Sequence, residues 1–411
     1  MPRFMQYTKG SIPYFAGDQD DRVFILQKGI VILTSVDIET GSSVTDQVKP
    51  GEFFGVKSAL GHFPREETVT VLSEASVVVL TVVEFEKLFS GNKQLIMKML
   101  RVFSNQLRQI HRKIGTILNV IPEDQTTGML EVAQSFYDDE QFRSCCDVCL
   151  KILKRFPQSH IKDKVAKLYE DARIRNEKMS ARVSFDEVSS DTSDGSASCF
   201  DLPAFERFAK TYEPGQVIIS EFEPGDAFYL IQTGTVQLIK CVNGTKKNLD
   251  ILKMGEFFGE MAILDNSPRS ATCMAKTRVK CLEFSKENFE VLMTGNPQLA
   301  LNLLKLFCKR IYDQKRRFRI LVIKDPQARL ANVFIMLNEM YPSANPDSRI
   351  CKFNVTVADV AQWAGLSQDV TRTEINRFVE KRRIEVFDNY IIVSNISDMK
   401  RIARAAEVAQ H

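Results

Sequence analysis

The sequence predicts an α+β multidomain chain: two jelly-roll β-barrels, a helical connector between them, and a C-terminal helix–turn–helix with a two-stranded wing. Three observations predict it. The string GEFFG occupies Gly51 to Gly55 and returns at Gly255 to Gly259, 204 residues on. Upstream of each copy runs an alternating apolar stretch broken by one glycine, VFILQKGIVIL from Val23 to Leu33 and FYLIQTGTVQL from Phe228 to Leu238. Alternation suits strands with one buried face, and the glycine suits a tight turn between them. Near the C-terminus, Thr356 to Lys381 reads as two short amphipathic helices joined at Gly365.

A chain of 411 residues has room for two to four domains. The repeats divide it into a first barrel with its following helix at 1–118, a helical connector at 124–178, a linker at 179–199, a second barrel with a long helix at 200–324, and a last domain at 325–411. Gly17-Asp18 and Gly225-Asp226 read as equivalent turns of the two barrels, which are expected to be of the jelly-roll class.

The second copy carries the chemistry. From Gly255 to Thr272 the sequence is GEFFGEMAILDNSPRSAT. Gly259 lets the backbone approach a ligand without a Cβ in the way. The residues after it read as a short helix whose free N–H groups would face an anion. Glu260 offers a carboxylate to a ribose hydroxyl. Nine residues later Arg269 supplies a guanidinium fork matched to phosphate oxygens, with the Ser270 hydroxyl beside it. This string resembles the phosphate-binding cassette of the cyclic-nucleotide-binding domain, as in Crp/Fnr transcription factors and cyclic-nucleotide-gated proteins. The resemblance implies a cyclic nucleotide, cAMP or cGMP, held by Phe258, Gly259, Glu260, Met261, Ala262, Arg269, Ser270 and Ala271.

In the first copy Val56 replaces the glutamate, and the second motif reads Pro64-Arg65-Glu66-Glu67-Thr68. Two carboxylates repel a phosphodiester, and unpaired buried charge is costly. The first barrel is expected to have lost the usual ligand and to pack, dimerise or brace its neighbour. Two further uses of the residues stay open: Lys57, Arg65 and the glutamates bind another molecule, or Arg65 pairs with Glu66.

Composition excludes several classes. The apolar and charged fractions are those of a soluble globular protein, no run is long enough to span a membrane, and Met1 to Tyr14 lacks a signal-peptide core. Nine cysteines without regular spacing point to a reducing cytoplasm. The net charge of +3 is too small to imply nucleic acid by itself, but Lys305 to Lys324 holds eight basic residues and one acid, Asp313. Cys145, Cys146 and Cys149 lack a matching pair for zinc, so no metal is expected. No nucleophile–base pair, metal spacing or phosphate-cradling loop of the Walker type is present, and the chain is not expected to be an enzyme.

Between the barrels, Met129, Val132, Ala133 and Phe136 form one helical stripe, and Cys145, Cys149 and Ile152 a second, closed by Phe156-Pro157. The order resembles a single tetratricopeptide unit, with Ile161 to Ala172 as a following helix. One unit cannot bury its face alone, so it is expected to lean on the first barrel or on a partner. Ser180 to Cys199, rich in Ser and Asp, reads as a flexible linker.

After the second barrel, Leu299 to Val322 is a long helix with apolar positions at Leu303, Leu304, Phe307, Ile311, Phe318, Leu321 and Val322. In Crp-like proteins the corresponding helix pairs with its twin and closes over the purine, so the resemblance implies a homodimer through 299–322. It also implies base contacts near Gln314 and Lys315. In the last domain, Thr356 and Ser367 are placed to cap two helices and Asp359 to meet the first dipole. Ile384 to Val393 reads as a wing. The whole resembles a Crp-type winged helix, which implies that Gln368, Asp369, Thr371, Arg372, Thr373, Asn376 and Arg377 face duplex DNA. The expected function is a cytoplasmic, cyclic-nucleotide-responsive DNA-binding transcription regulator. The alternative is a nucleotide-responsive adaptor that controls a protein partner.

Overall fold

The computed structural model describes residues 2–117, 124–180, 203–242, 245–340 and 349–409. The first repeat comprises β1 (Arg3–Tyr7), β2 (Val23–Lys28), β3 (Val31–Val36), β4 (Ser43–Val48), β5 (Phe53–Phe54), α1 (Val56–Gly61), β6 (Thr68–Val71) and β7 (Ala75–Leu80). It ends in α2 (Val82–Ser90) and α3 (Lys93–Ile117), followed by a connector of α4 (Gln125–Asp138), α5 (Phe142–Arg155) and α6 (Lys162–Ser180). Met179 and Ser180 finish α6; the rest of the expected linker lies outside the described residues.

The second repeat opens with a 3-10 turn at Pro203–Phe208 and runs through β8 (Ala209–Tyr212), β9 (Val217–Ile219), β10 (Ala227–Thr233), β11 (Val236–Val242), β12 (Thr245–Leu252), β13 (Phe257–Phe258), α7 (Glu260–Asp265), β14 (Thr272–Ala275), β15 (Val279–Ser285), α8 (Lys286–Gly295) and α9 (Pro297–Val322). The chain ends with α10 (Pro326–Met340), β16 (Cys351–Phe353), α11 (Val357–Ala364), α12 (Gln368–Glu380), β17 (Ile384–Val386), β18 (Ile391–Val393) and α13 (Ile396–Ala409). Among the described residues no helix is long and apolar enough to cross a membrane.

Each repeat closes two antiparallel sheets over one apolar core. In the first the orders are β1-β7-β2-β5 and β4-β3-β6; in the second, β13-β10-β15-β8 and β12-β11-β14-β9. The registers correspond: Phe24 faces Phe54 as Tyr229 faces Phe258. Those rings stack at 5.0 Å and 4.9 Å, and burying each large ring contributes on the order of 2–3 kcal/mol. The glycine that breaks each alternating stretch is sterically required. At φ +103°, a Cβ on Gly29 would lie 2.4 Å from the Glu74 carbonyl; at φ +84°, one on Gly234 would lie 2.3 Å from that of Arg278.

The chain divides into two compact units, residues 1–88 with 308–411 and residues 89–307. The sequence order groups each long helix with the barrel it follows. In the structure α3 instead packs on α7 and α8 of the second repeat, and α9 belongs to one unit up to Phe307 and to the other from Cys308. The connector also departs from expectation. Its stripe of Met129, Val132, Ala133, Phe136, Cys145, Cys149 and Ile152 is buried with Val217, Ile239, Cys241 and Met274 of the second barrel. It leans on the second barrel because that barrel carries the matching apolar outer face.

In the C-terminal region, α10 to α13 and the sheet β16-β18-β17 enclose a core that includes Leu330, Phe334, Phe353, Val360, Ile375 and Phe378. Thr356 and Asp359 exchange bonds at the start of α11, and Ser367 accepts from the Val370 N–H at the start of α12. Gly365 makes the turn between them at φ +63°.

Candidate functional site

Where β13 ends, Gly259 turns the backbone at φ +81° and hands it to α7, whose first residue is Glu260. A Cβ at Gly259 would lie 2.9 Å from the Arg269 guanidinium and from Ile219. Only glycine lets the arginine come this close. Arg269 is buried and donates to the carbonyls of Gly259 and Ala227, at 2.6 Å each. Its Nε has no hydrogen-bond partner, and among the described residues no carboxylate pairs with it. Glu260 is 1% exposed, Ser270 is half-buried, and Phe258, Met261, Ala262 and Ala271 are buried around them. The structure therefore brings together all eight cassette residues that the sequence singles out.

The first repeat repeats the cradle and fills it. Arg65 donates to the carbonyls of Gly55 at 2.6 Å and Arg22 at 2.5 Å, the counterparts of Gly259 and Ala227. Its Nε is also without a hydrogen-bond partner. The difference is charge: Asp20 lies 3.3 Å from Arg65, whose guanidinium also sits 4.3 Å over the Tyr14 ring. Glu66, at the place of Ser270, is paired with Lys315 at 2.8 Å and Lys57 at 3.5 Å. Burial works against the Glu66 charge, but Lys315 and Lys57 outweigh it and hold the carboxyl below its usual range. The reading that pairs Arg65 with Glu66 does not hold, since Arg65 meets Asp20 and Glu66 goes to two lysines. Asp20 wins because it sits two residues before Arg22, whose carbonyl Arg65 already holds.

The backbone around the two arginines fixes the true register. Gly17 N–H donates to Arg65 O and Phe222 N–H to Arg269 O, at 2.8 Å and 3.0 Å. Gly17-Asp18 thus corresponds to Phe222-Glu223, not to Gly225-Asp226. The counterpart of Asp20 is Gly225, where an added Cβ would lie 2.2 Å from Ala262 and 3.3 Å from the Arg269 guanidinium. The second repeat has a glycine, with no room for even a Cβ beside Ala262, where the first has a carboxylate.

Residues 4–92 and 209–296 each match the family described as the cyclic nucleotide-binding domain. Both repeats are thus similar to that domain family. It is similar to the CRP-like cAMP-activated global transcriptional regulator of Mycobacterium tuberculosis, 23% identical over 193 residues that cover 47% of this chain and 85% of that protein. It is 25% identical to the Cyclic AMP receptor protein of Thermus thermophilus over 203 residues, 49% of this chain and 90% of the other. A cAMP-dependent protein kinase regulatory subunit of Aspergillus niger is 42% identical over 82 residues, 20% of each chain.

Helix α3 packs against α7 of the second repeat, next to the cassette. Arg108 donates from Nη1 to the carbonyl of Pro268, the residue before Arg269, at 3.1 Å. Sequence reasoning assigned a roof to α9 and missed Arg108. The structure commits Lys315 to Glu66 of the first domain, and Tyr312 stacks on Phe63 there at 4.1 Å; Gln314 is half-buried on the same stretch. The apolar stripe of α9 is covered within one chain: Leu303, Leu304, Phe307, Ile311, Phe318 and Leu321 are at most 4% exposed.

On α12, Gln368, Asp369, Arg372, Thr373, Asn376 and Arg377 are exposed on the outer face, with Lys381 and Arg382 beyond them. Arg377 pairs with Glu374 at 2.6 Å. Thr371 is fully buried and donates to the Ser367 carbonyl. It shares a helix face with Ile375 and Phe378, one and two turns on, and so belongs to the core rather than to a reading face.

Proposed function

We propose that this chain is a cyclic-nucleotide-responsive transcription regulator of Crp/Fnr type, with the second domain as sensor and residues 325–411 as a winged helix that meets duplex DNA in the cytoplasm. One observation carries the sensor assignment. Arg269 is a buried cation whose charge, among the described residues, meets backbone carbonyls and no carboxylate, on a glycine turn beside Glu260 and Ser270, while the first domain sets its own Asp20 against the matching arginine. Arg269 and Ser270 suit the cyclic phosphate of cAMP or cGMP, and Glu260 suits the ribose hydroxyl. Nothing in the set breaks a phosphodiester, so the chain is read as a binder and not an enzyme.

The ligand acts by its differential affinity for two arrangements of the chain. The continuous helix α9 is the covalent path from the sensor to the last domain. Arg372 is the side chain best suited to a bidentate guanine contact and Gln368 to adenine, with Lys381 and Arg382 toward phosphate. One chain offers one such helix, so a two-fold symmetric site takes two chains. The test is binding to duplex DNA over a salt series, with and without cAMP and cGMP. Affinity that falls linearly in log–log form with salt and changes with nucleotide is expected. No binding at low salt under any condition favours the second reading, a nucleotide-responsive adaptor. That reading is supported by the likeness to the kinase regulatory subunit and by the helical connector.

A further inference from the structure

The turn ahead of Arg269 is built like its counterpart in the first domain, with one substitution that makes sense only beside the connector. In both copies two backbone bonds close it: Gly17 N–H to Arg65 O and Arg65 N–H to Asp18 O, then Phe222 N–H to Arg269 O and Arg269 N–H to Glu223 O. In both, a carboxylate caps it, Asp18 accepting from the Phe15 N–H at 2.8 Å and Glu223 from the Ser220 N–H at 3.0 Å. Yet the left-handed position is glycine in one, Gly17 at φ +92°, and Phe222 at φ +68° in the other. A bulky side chain is costly in that conformation. What offsets the cost is the connector. The Phe222 ring lies so close to α4 that a Cβ on Gly128 would be 2.6 Å from it, and the ring joins the connector's apolar cluster.

The charges follow the same line. Lys151 of α5 donates to both oxygens of Glu223, at 3.2 Å and 3.1 Å, and to the Ile218 carbonyl at 2.9 Å. Asp147 accepts from the Val217 N–H at 2.9 Å. On the inner side, buried Glu221 bonds Lys240 at 2.6 Å, and Lys240 bonds the Ser270 carbonyl at 3.2 Å. The Glu221 N–H donates to the Thr272 hydroxyl. The connector grips residues 217–223, and these hold the backbone of Arg269 directly, the Ser270 carbonyl through Lys240 and the Thr272 hydroxyl.

We propose that the α4–α5 hairpin is a working part of the second domain's ligand site: Phe222, Glu223 and Lys151 are positioning residues that hold the backbone of Arg269 and Ser270 and thereby set cyclic nucleotide affinity. This rests on reading the second domain as the nucleotide site. Coupling is reciprocal, so nucleotide in turn firms the hairpin.

The test uses the full chain with Phe222→Gly, Lys151→Met, Lys151→Arg and Arg269→Leu. Phe222→Gly adopts the first domain's own solution, which the turn is known to accept. Affinity for cAMP and cGMP is measured by calorimetry, and backbone hydrogen exchange of residues 268–272 is followed without nucleotide. Phe222→Gly and Lys151→Met are expected to weaken binding roughly tenfold and speed that exchange, with Lys151→Arg near wild type. If wild type binds, Arg269→Leu does not, and the Phe222 and Lys151 variants match wild type in affinity and exchange, the brace is overturned and the nucleotide reading stands. If wild type binds neither nucleotide while exchange still speeds in the variants, the nucleotide reading fails and the brace stands as a mechanical fact. No binding with unchanged exchange overturns both.

Discussion

Arg65 and Arg269 make the same two backbone bonds, but among the described residues only Arg65 has a carboxylate within reach. That one residue, Asp20 against Gly225, separates a self-neutralised cradle from one suited to an external anion. The Arg65 side chain is fully buried, so Asp20→Asn leaves an uncompensated charge. It should cost the first domain about 3 kcal/mol, read as a lower denaturation midpoint; an unchanged midpoint would mean that the pair is idle. The cassette of the second domain was legible because Gly259, Glu260, Arg269 and Ser270 carry specific chemistry at fixed spacing. The contrast at Asp20 was within reach too. Carrying the 205-residue offset of Val23 and Phe228 back along the chain pairs Gly17 with Phe222 and Asp20 with Gly225. Thr371 falls on the core face of α12, as its spacing from Ile375 and Phe378 requires.

Among the elements, α9 shows what an apolar stripe withholds. Its spacing announces a buried face but not the surface that buries it, and the same holds for the connector. Lys315 anchors the second half of α9 to Glu66, and Lys57 completes the ion group. Burial opposes the Glu66 charge and the two lysines more than offset it, so the folded carboxyl titrates below the ordinary value of about 4.3. A carboxyl lowered by folding contributes stability that is complete above the unfolded value and is lost as pH falls through the folded one. Protection of residues 308–322 from hydrogen exchange, corrected for intrinsic rate, should therefore drop on acidification below about pH 4. Glu66→Gln should be looser already at neutral pH and show no such step. Identical pH profiles for the two proteins would remove Glu66 from this role.

For the whole molecule, fold class and repeat were legible from periodicity because each barrel is built from local alternation and tight turns. The grouping of α3 with α7 and α8 was not, since sequence order says nothing about which barrel a following helix will roof. Nor did the sequence show the first domain supplying its own counter-ions. At this scale the account predicts division of labour: Arg372→Ala should weaken DNA binding and relax preference at one base pair by about 1–3 kcal/mol, leaving nucleotide affinity untouched. Loss of nucleotide binding in that variant, measured by calorimetry, would contradict the separation.

Everything turns on whether the second domain alone holds the nucleotide. Calorimetric titration of the full chain with cAMP and cGMP, run beside Arg269→Leu, measures this directly. Saturable binding at one site per chain, lost in Arg269→Leu, is the predicted result. Two sites per chain, or binding that survives the loss of Arg269, would contradict it.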